Sequence, residues 1–310
     1  MITVSHLSKH FGPNKAVDDI SFEVRKGEIL GFLGPNGAGK STTMRMITGF
    51  IPPTTGTVII GGDDILTNSI AARKKIGYLP ENAPVYRDMT VKGYLEFCAE
   101  IRGFTGPSKS KIVAETIEKC FLSQATYQTV STLSKGYKQR VCFAQSILHD
   151  PEYLILDEPT DGLDPNQKHE VRQMIQQMST HKAIIFSTHI LDEVDAICTR
   201  AIIIANGKIV TDDTPDNLRK RSPSAGAVSL SLTTSEPDKL LEALEKTAGI
   251  SETKVVMRNE ESLELRLLPQ RLDHPIADAI MATALSHDCK VQSIFIEAGR
   301  LDEVFRDITT

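Results

Sequence analysis

Three short runs of apolar residues place the strongest constraint on the fold of this chain. Residues 153–156, 183–187 and 201–205 read Tyr-Leu-Ile-Leu, Ala-Ile-Ile-Phe-Ser and Ala-Ile-Ile-Ile-Ala, without the polar alternation of a half-exposed strand. Such runs are typical of central strands in a parallel sheet that helices cover on both faces. Four further strand candidates precede them, at residues 20–24, 28–33, 57–60 and 76–79. The sequence therefore predicts an α/β fold.

The length of the chain and a change in its sequence pattern predict two domains. The 310 residues amount to about two domains of ordinary size. We expect an α/β domain at residues 1–215, with a helical insertion at 84–132, and a polar, turn-prone linker at 216–226. In residues 227–310 the order strand, helix, strand, strand, helix, strand, with a closing helix, predicts a ferredoxin-like βαββαβ domain of the α+β class.

Composition excludes several classes of protein. The formal net charge of −5 argues against mainly electrostatic binding to nucleic acid or anionic lipid. Nucleic acid is therefore not an expected partner. No apolar run approaches the roughly 18 residues that span a bilayer, and the N-terminal segment lacks the features of a secretion signal. We therefore expect a cytoplasmic protein. The five cysteines are scattered, without a CxxC pair, which indicates buried thiols rather than disulfides or a metal site.

A glycine-rich segment predicts a phosphate-binding loop. Residues 34–41 read Gly-Pro-Asn-Gly-Ala-Gly-Lys-Ser and fit the pattern GxxxxGK[ST] between a predicted strand and a predicted helix. In such a loop, backbone N–H groups and the helix N-terminus surround phosphate. The lysine reaches the terminal phosphates, and the serine hydroxyl can ligate Mg²⁺. The candidate phosphate-binding residues are Gly34, Asn36, Gly37, Gly39, Lys40, Ser41 and Thr42.

Two adjacent carboxylates follow the first of the three apolar runs. Asp157 and Glu158 would lie at the carboxyl edge of the parallel sheet, where such sheets bind their ligands. Asp157 is a candidate Mg²⁺ ligand, directly or through water. The next side chain along an extended chain points away, so Glu158 would be free to polarise an attacking water. A paired acid at this position could also simply cap the following turn, but beside a phosphate-binding loop we favour the catalytic role.

Further motifs, in this chain order, resemble those of the ATP-binding cassette (ABC) ATPases. Residues 133–139, Leu-Ser-Lys-Gly-Tyr-Lys-Gln, are similar to the LSGGQ signature, residues 161–165 to the D-loop, and His189 to the switch histidine. The resemblance covers about the first 215 residues. It implies ATP and Mg²⁺ as cofactors, catalytic roles for Glu158 and His189, and a head-to-tail dimer. In that dimer Ser134 and Gly136 of one chain would close over the γ-phosphate bound to the other.

Two residues depart from the family pattern. Lys135 replaces the glycine that usually occupies the third position of the signature, and this cation could face either phosphate or solvent. Glu81 stands where the family usually has glutamine. A carboxylate can still accept a metal or a water, but it lacks the amide donor. The resemblance also implies that Phe11 stacks on adenine, with a core phenylalanine as the alternative.

The resemblance implies partners that the chain itself does not contain. ATP hydrolysis in this family drives transport through an integral membrane permease, whose cytoplasmic helices would dock on residues 82–90 and 91–101. A second copy of the cassette, most simply a homodimer, would complete each ATP site. The C-terminal residues 296–305, Ile-Glu-Ala-Gly-Arg-Leu-Asp-Glu-Val-Phe, are similar to the ending of bacterial exporter cassettes for drugs, antibiotics or sodium, and gliding-motility cassettes have a related texture. We therefore expect an exporter subunit on the cytoplasmic face of the plasma (inner) membrane.

Two other function classes compete with this interpretation. A soluble ABC protein acting on nucleic acid or ribosomes usually carries two cassettes or a long coiled-coil insertion, and neither is visible in the sequence. A P-loop kinase would have no use for the signature-like residues 133–139 or for His189. The leading prediction is therefore an ATPase, converting ATP and water to ADP and phosphate, coupled to export.

Overall fold

The computed structural model describes residues 1–82, 84–259, 262–272 and 274–309. The chain divides into two compact units, Met1–Asp213 and Thr214–Thr310. The division falls two residues before the boundary that the sequence predicted. The stretch expected to be a linker, residues 216–226, lies within the second unit and includes part of a short helix at Pro215–Arg219.

The first unit alternates strands and helices along the chain. In chain order they are β1 (Ile2–Phe11), β2 (Asn14–Val24), β3 (Ile29–Leu33), α1 (Lys40–Ile47), β4 (Thr55–Ile60), β5 (Asp63–Asp64), α2 (Ser69–Lys74), β6 (Ile76–Leu79), α3 (Val91–Ile101), α4 (Gly106–Lys119), α5 (Lys135–Ile147), β7 (Tyr153–Asp157), α6 (Pro165–Ser179), β8 (Ala183–Thr188), α7 (Leu191–Ile197), β9 (Arg200–Ala205) and β10 (Lys208–Asp213).

The three apolar runs form neighbouring or near-neighbouring strands of one sheet. Its strand order is β10-β9-β3-β8-β7-β6, with parallel pairing everywhere except between β9 and the edge strand β10. Every residue of β3, β7 and β8 is buried, as expected for strands covered on both faces. Because the strands are parallel, the segments that follow β3, β6, β7 and β8 meet at the same edge of the sheet.

A second, antiparallel sheet has the order β2-β1-β4-β5. An apolar core lies between it and the six-stranded sheet and includes Val4, Phe32, Met44 and Ile155. The opposite face of the larger sheet packs, through Phe186, against the helical region formed by α3, α4 and α5. This helical region is therefore packed directly on the sheet whose strand ends form the predicted site.

The second unit forms a smaller α/β sandwich. Its elements are α8 (Pro215–Arg219), β11 (Val228–Thr233), α9 (Pro237–Glu245), β12 (Ile250–Arg258), β13 (Ser262–Pro269), α10 (Ala277–Ser286), β14 (Lys290–Ile296) and α11 (Leu301–Thr309). The sheet is antiparallel, in the order β12-β13-β11-β14, which is the order of a ferredoxin-like βαββαβ unit. Leu240 and Leu244 of α9 and Ile280 of α10 fill its core. The predicted fold class is confirmed.

Within the described ranges, no helix combines the length and the apolar character needed to cross a membrane.

Candidate active site

A cavity of about 270 Å³ opens at the carboxyl edge of the six-stranded sheet, the edge at which parallel sheets bind ligands. Most of its lining comes from the loop between β3 and α1 and from the start of α1. The lining residues are Ala16, Asn36, Gly37, Gly39, Lys40, Ser41, Thr42, Glu81 and Glu158. The fold thus brings together most of the candidate phosphate-binding residues with two of the candidate carboxylates.

Two glycines of the loop are required by close backbone approaches. Gly39 has a φ of +108°, and a Cβ there would lie 2.5 Å from the carbonyl oxygen of Ala16. A Cβ on Gly34 would lie 2.5 Å from the carbonyl oxygen of Ile204. Helix α1 starts directly after Gly39, without a side-chain cap, so its first N–H groups remain available for an anion.

Lys40 is held inside this loop. Its side chain is only 5% exposed, and its ammonium group donates to the carbonyl oxygens of Gly34 (2.8 Å) and Pro35 (3.2 Å). It also lies 3.7 Å from Oε1 of Glu158. The lysine is therefore already positioned and desolvated, which strengthens its interaction with a negatively charged ligand.

Asp157 and Ser41 offer a site for a hard cation. The Ser41 hydroxyl lies 3.3 Å from Oδ1 of Asp157, and Ser187 donates to the same oxygen at 2.5 Å. The other carboxylate oxygen, Oδ2, is buried and has no hydrogen-bond partner among the described residues. An unpartnered buried carboxylate oxygen beside a hydroxyl fits Mg²⁺, which is bound through one or two protein oxygens together with water and phosphate.

Glu158 contacts different groups from Asp157, although its backbone is not extended as the sequence reasoning assumed. Its φ of +49° is unusual for a residue with a side chain, and its backbone N–H donates to the Ser187 hydroxyl (3.0 Å). The carboxylate Oε2 lies 2.8 Å from Nδ1 of His189. The turn after β7 thus directs Glu158 toward the cavity. His189, which follows β8, contacts the Oε2 atom of its carboxylate.

Glu81 and Phe11 have different surroundings from each other. Glu81 is exposed and lines the cavity. Phe11, at the end of β1, is 52% exposed and is not among the lining residues, with the ammonium of Lys9 lying 5.2 Å from the ring centre. The alternative of a core phenylalanine is therefore wrong, and an accessible ring remains at the end of β1.

The signature-like residues lie at the start of α5 and do not line the cavity. The Ser134 side chain caps the helix by accepting from the N–H of Tyr137 (3.3 Å), and Gly136 is buried. Lys135 pairs with Asp161 at 2.8 Å. This hydrogen bond lowers the pKa of the Asp161 carboxyl. Lys135 is therefore explained neither by phosphate nor by solvent alone, because it forms an ion pair with the D-loop of its own chain.

Sequence reasoning missed Ser187, whose hydroxyl links the Asp157 carboxylate to the backbone N–H of Glu158 through the bonds just described. It lies directly opposite Asp157 in the pairing of β7 with β8. The available signal was the position of this hydroxyl near the end of a second buried run, since neighbouring parallel strands bring their last residues together.

Comparison with known proteins agrees with this geometry. Residues 17–161 match the family profile described as ABC transporter. The chain is 31% identical, over its whole length and 98% of the relative, to the linearmycin resistance ATP-binding protein LnrL of Bacillus subtilis (strain 168). It is 38% identical to the bacitracin transport ATP-binding protein BcrA of Bacillus licheniformis, over 72% of each chain.

A solved structure described as the ATP binding subunit of an ABC transporter superposes with a TM-score of 0.66. It is 28% identical and covers 71% of this chain and 92% of its own. The resemblance inferred from the motifs is confirmed. With a relative that matches along the whole chain and a phosphate-binding loop, paired carboxylates and histidine gathered at one sheet edge, the protein belongs to the ABC transporter family as an ATP-binding subunit and an ATPase.

Proposed function

We propose that two copies of this chain bind ATP between them, head to tail, and hydrolyse it to drive export through a membrane permease. The main support for the dimer is that Ser134 and Gly136 lie outside the cavity that contains Lys40 and Glu158. Ser134 uses an oxygen lone pair to cap α5, so its O–H is left to donate to a phosphate oxygen. A second chain would bring this donor, and the N-terminus of α5, to the open side of the cavity.

Within one site, each residue has a distinct proposed role. Lys40 and the N–H groups of α1 bind the phosphates, and Ser41 with Asp157 would hold Mg²⁺, with Glu81 close enough to the cavity to contact the ion or its water. The ion would neutralise phosphate charge in the transition state. Glu158 accepts the proton of the attacking water, and His189 keeps this carboxylate oriented at 2.8 Å.

The proposed membrane partner docks on the surface formed by residues 82–90 and α3. Ala83 lies outside the described residues. Tyr86 and Ile101 are 60% and 68% exposed, which supports contact with another protein at this surface. Two of the relatives are named for antibiotic resistance or transport, which supports export as the direction. The subunit would then be peripheral, on the cytoplasmic face of the membrane.

Mixing two inactive variants tests the composite site. Lys40→Ala removes the phosphate contact and Ser134→Arg blocks the signature face, so each homodimer should be inactive. In the heterodimer, one site combines the intact phosphate-binding loop of one chain with the intact signature of the other. We expect the mixture to recover part of the native ATPase rate. If no activity returns although the heterodimer is isolated with two different affinity tags, the head-to-tail arrangement is refuted.

A further inference from the structure

Glu193, on α7, is a buried carboxylate to which none of the roles above has been assigned. It is 0% exposed. Burying a charged group is costly unless it is paired and hydrogen-bonded, so its partners indicate what it does. Oε1 accepts from the Thr160 hydroxyl at 2.5 Å, and Oε2 accepts from the Thr188 hydroxyl at 2.7 Å. Both threonines are themselves buried.

The two threonines belong to the two loops that carry the proposed catalytic pair. Thr160 is two residues after Glu158, in the turn that follows β7, and Thr188 directly precedes His189 at the end of β8. The Thr188 oxygen also accepts from the N–H of Ile190 at 3.0 Å. One side chain therefore links the backbone on both sides of the contact between Glu158 and His189.

Two cations of α6 balance the charge of Glu193. The ammonium of Lys168 lies 3.6 Å and the guanidinium of Arg172 lies 3.5 Å from Oε1. These distances are those of ion pairs rather than of short hydrogen bonds. The geometric constraint on the two loops therefore comes from the threonine hydroxyls, and the cations make it possible for a carboxylate to be buried there.

We propose that Glu193 is a positioning residue for ATP hydrolysis. By binding Thr160 and Thr188 together, it keeps Glu158 and His189 at the 2.8 Å separation seen in the structure. This inference rests on the proposed roles of that pair. Phosphate binding depends on the loop before α1, whereas the hydrogen bonds and ion pairs of Glu193 go to the two threonines and the two cations of α6. Loss of Glu193 should therefore affect the turnover rate and leave nucleotide affinity unchanged.

Two substitutions of similar volume separate hydrogen bonding from charge. Glu193→Gln can still accept from one threonine hydroxyl and donate to the other threonine oxygen, whereas Glu193→Met fills the space without either bond. We expect kcat of the Gln variant within about threefold of native, because both links are retained. We expect kcat of the Met variant to fall by about 10- to 100-fold, the cost of a small misplacement of catalytic groups. The Kd for ATP should be native in both.

Glu28→Met is the matched control. Glu28 forms an ion pair with Arg200 at 2.9 Å, directly before β3 and therefore at the opposite edge of the sheet. It should lower the melting temperature without changing kcat. If Glu193→Met lowers only the melting temperature, as the control does, Glu193 is merely structural and the inference is wrong. If Gln and Met lower kcat equally, hydrogen bonding is not the reason and the inference is also wrong.

Glu158→Gln, assayed in parallel, separates failure of the two proposals. If Glu158→Gln turns over at the native rate, the proposed role of Glu158 fails and the role of Glu193 fails with it. If Glu158→Gln is inactive while Glu193→Met is as active as native protein, only the role of Glu193 fails.

Discussion

Replacing Glu158 by glutamine removes a base from the candidate site at nearly constant shape. The side chain keeps its length and its unbranched Cβ, so the strain of the +49° φ value is the same in both proteins. The contact with His189 at 2.8 Å can persist through the amide. What disappears is the negative charge and the ability to take a proton from water. Turnover should fall by about 10²- to 10⁴-fold, the usual contribution of a general base.

The same substitution should not weaken ATP binding. At 3.7 Å, the attraction between the Lys40 ammonium and the Glu158 carboxylate is about 4 kcal/mol before desolvation, for an effective dielectric constant of about 20. Phosphate must compete with this carboxylate for the lysine. With glutamine in its place that competition is lost, so the Kd for ATP should stay equal to the native value or decrease.

Binding and turnover are measured separately for this purpose. Titration with ATP and Mg²⁺ gives the Kd, phosphate release gives kcat, and light scattering after size exclusion gives the mass. Bound ATP that cannot be hydrolysed should hold two chains together, so the variant should run as a dimer with ATP and Mg²⁺. Glu152→Gln is the control, because Glu152 pairs with Lys26 at 2.5 Å at the opposite end of β7. This control should be fully active.

Two results would refute the assignment of Glu158. Native turnover in Glu158→Gln would exclude this carboxylate as the base. A rise in Kd as large as the fall in kcat would show that Glu158 helps to build the binding site, contrary to the competition with phosphate argued from the Lys40 contact. A variant that binds ATP but stays monomeric would count against the nucleotide-bridged dimer while leaving the base assignment intact.

Two further predictions concern single residues. Phe11→Ala should raise the Kd for ATP by about 5- to 150-fold, the value of one base stacked on an aromatic ring, and leave the Kd for inorganic tripolyphosphate unchanged. Equal Kd values for ATP before and after the substitution would exclude stacking. Burial, and to a smaller extent the charge of Arg102, lower the pKa of His149 to about 4 in the folded protein. Between about pH 6.5 and pH 4 the unfolded chain therefore binds more protons than the folded one. The free energy of unfolding should decrease as the pH falls through this window. His149→Gln should reduce the loss of urea midpoint between pH 7 and pH 5, and an unaltered loss would assign it to other groups.

The fold was predictable where periodicity was unambiguous. The buried runs around Leu156, Phe186 and Ile203 carry no polar residue before their ends, so only a covered central strand suits them. Strand β1 was missed because Lys9, His10 and other polar residues interrupt its apolar positions. Its identity as a strand depends on pairing with β2 and β4, which no local pattern contains. The polar edge strand β10 was missed for the same reason.

The site was predictable in its residue types and less so in its contacts. A glycine-rich loop before a helix predicts which atoms face phosphate, so Lys40 and Ser41 became candidates from spacing alone, and both line the cavity. The pairing of Lys135 with Asp161 joins residues that lie 26 positions apart, and it depends on where the turn after β7 runs relative to the start of α5. A local sequence pattern carries no information about such a long-range contact. The sequence therefore suggested only phosphate or solvent as the surroundings of Lys135, and not Asp161.

The proposed positioning role of Glu193 could not be predicted from the sequence either. In the sequence it is one of two acidic residues in the first turn of α7, a position where acids are common because they stabilise the helix N-terminus. Asp192, beside it, is exposed, whereas Glu193 is completely buried. A helix dipole would be satisfied by either residue, so burial of only one requires a different cause. The two threonine hydroxyls at the ends of β7 and β8 are that cause, and they connect a helix outside the cavity to the geometry of the groups inside it.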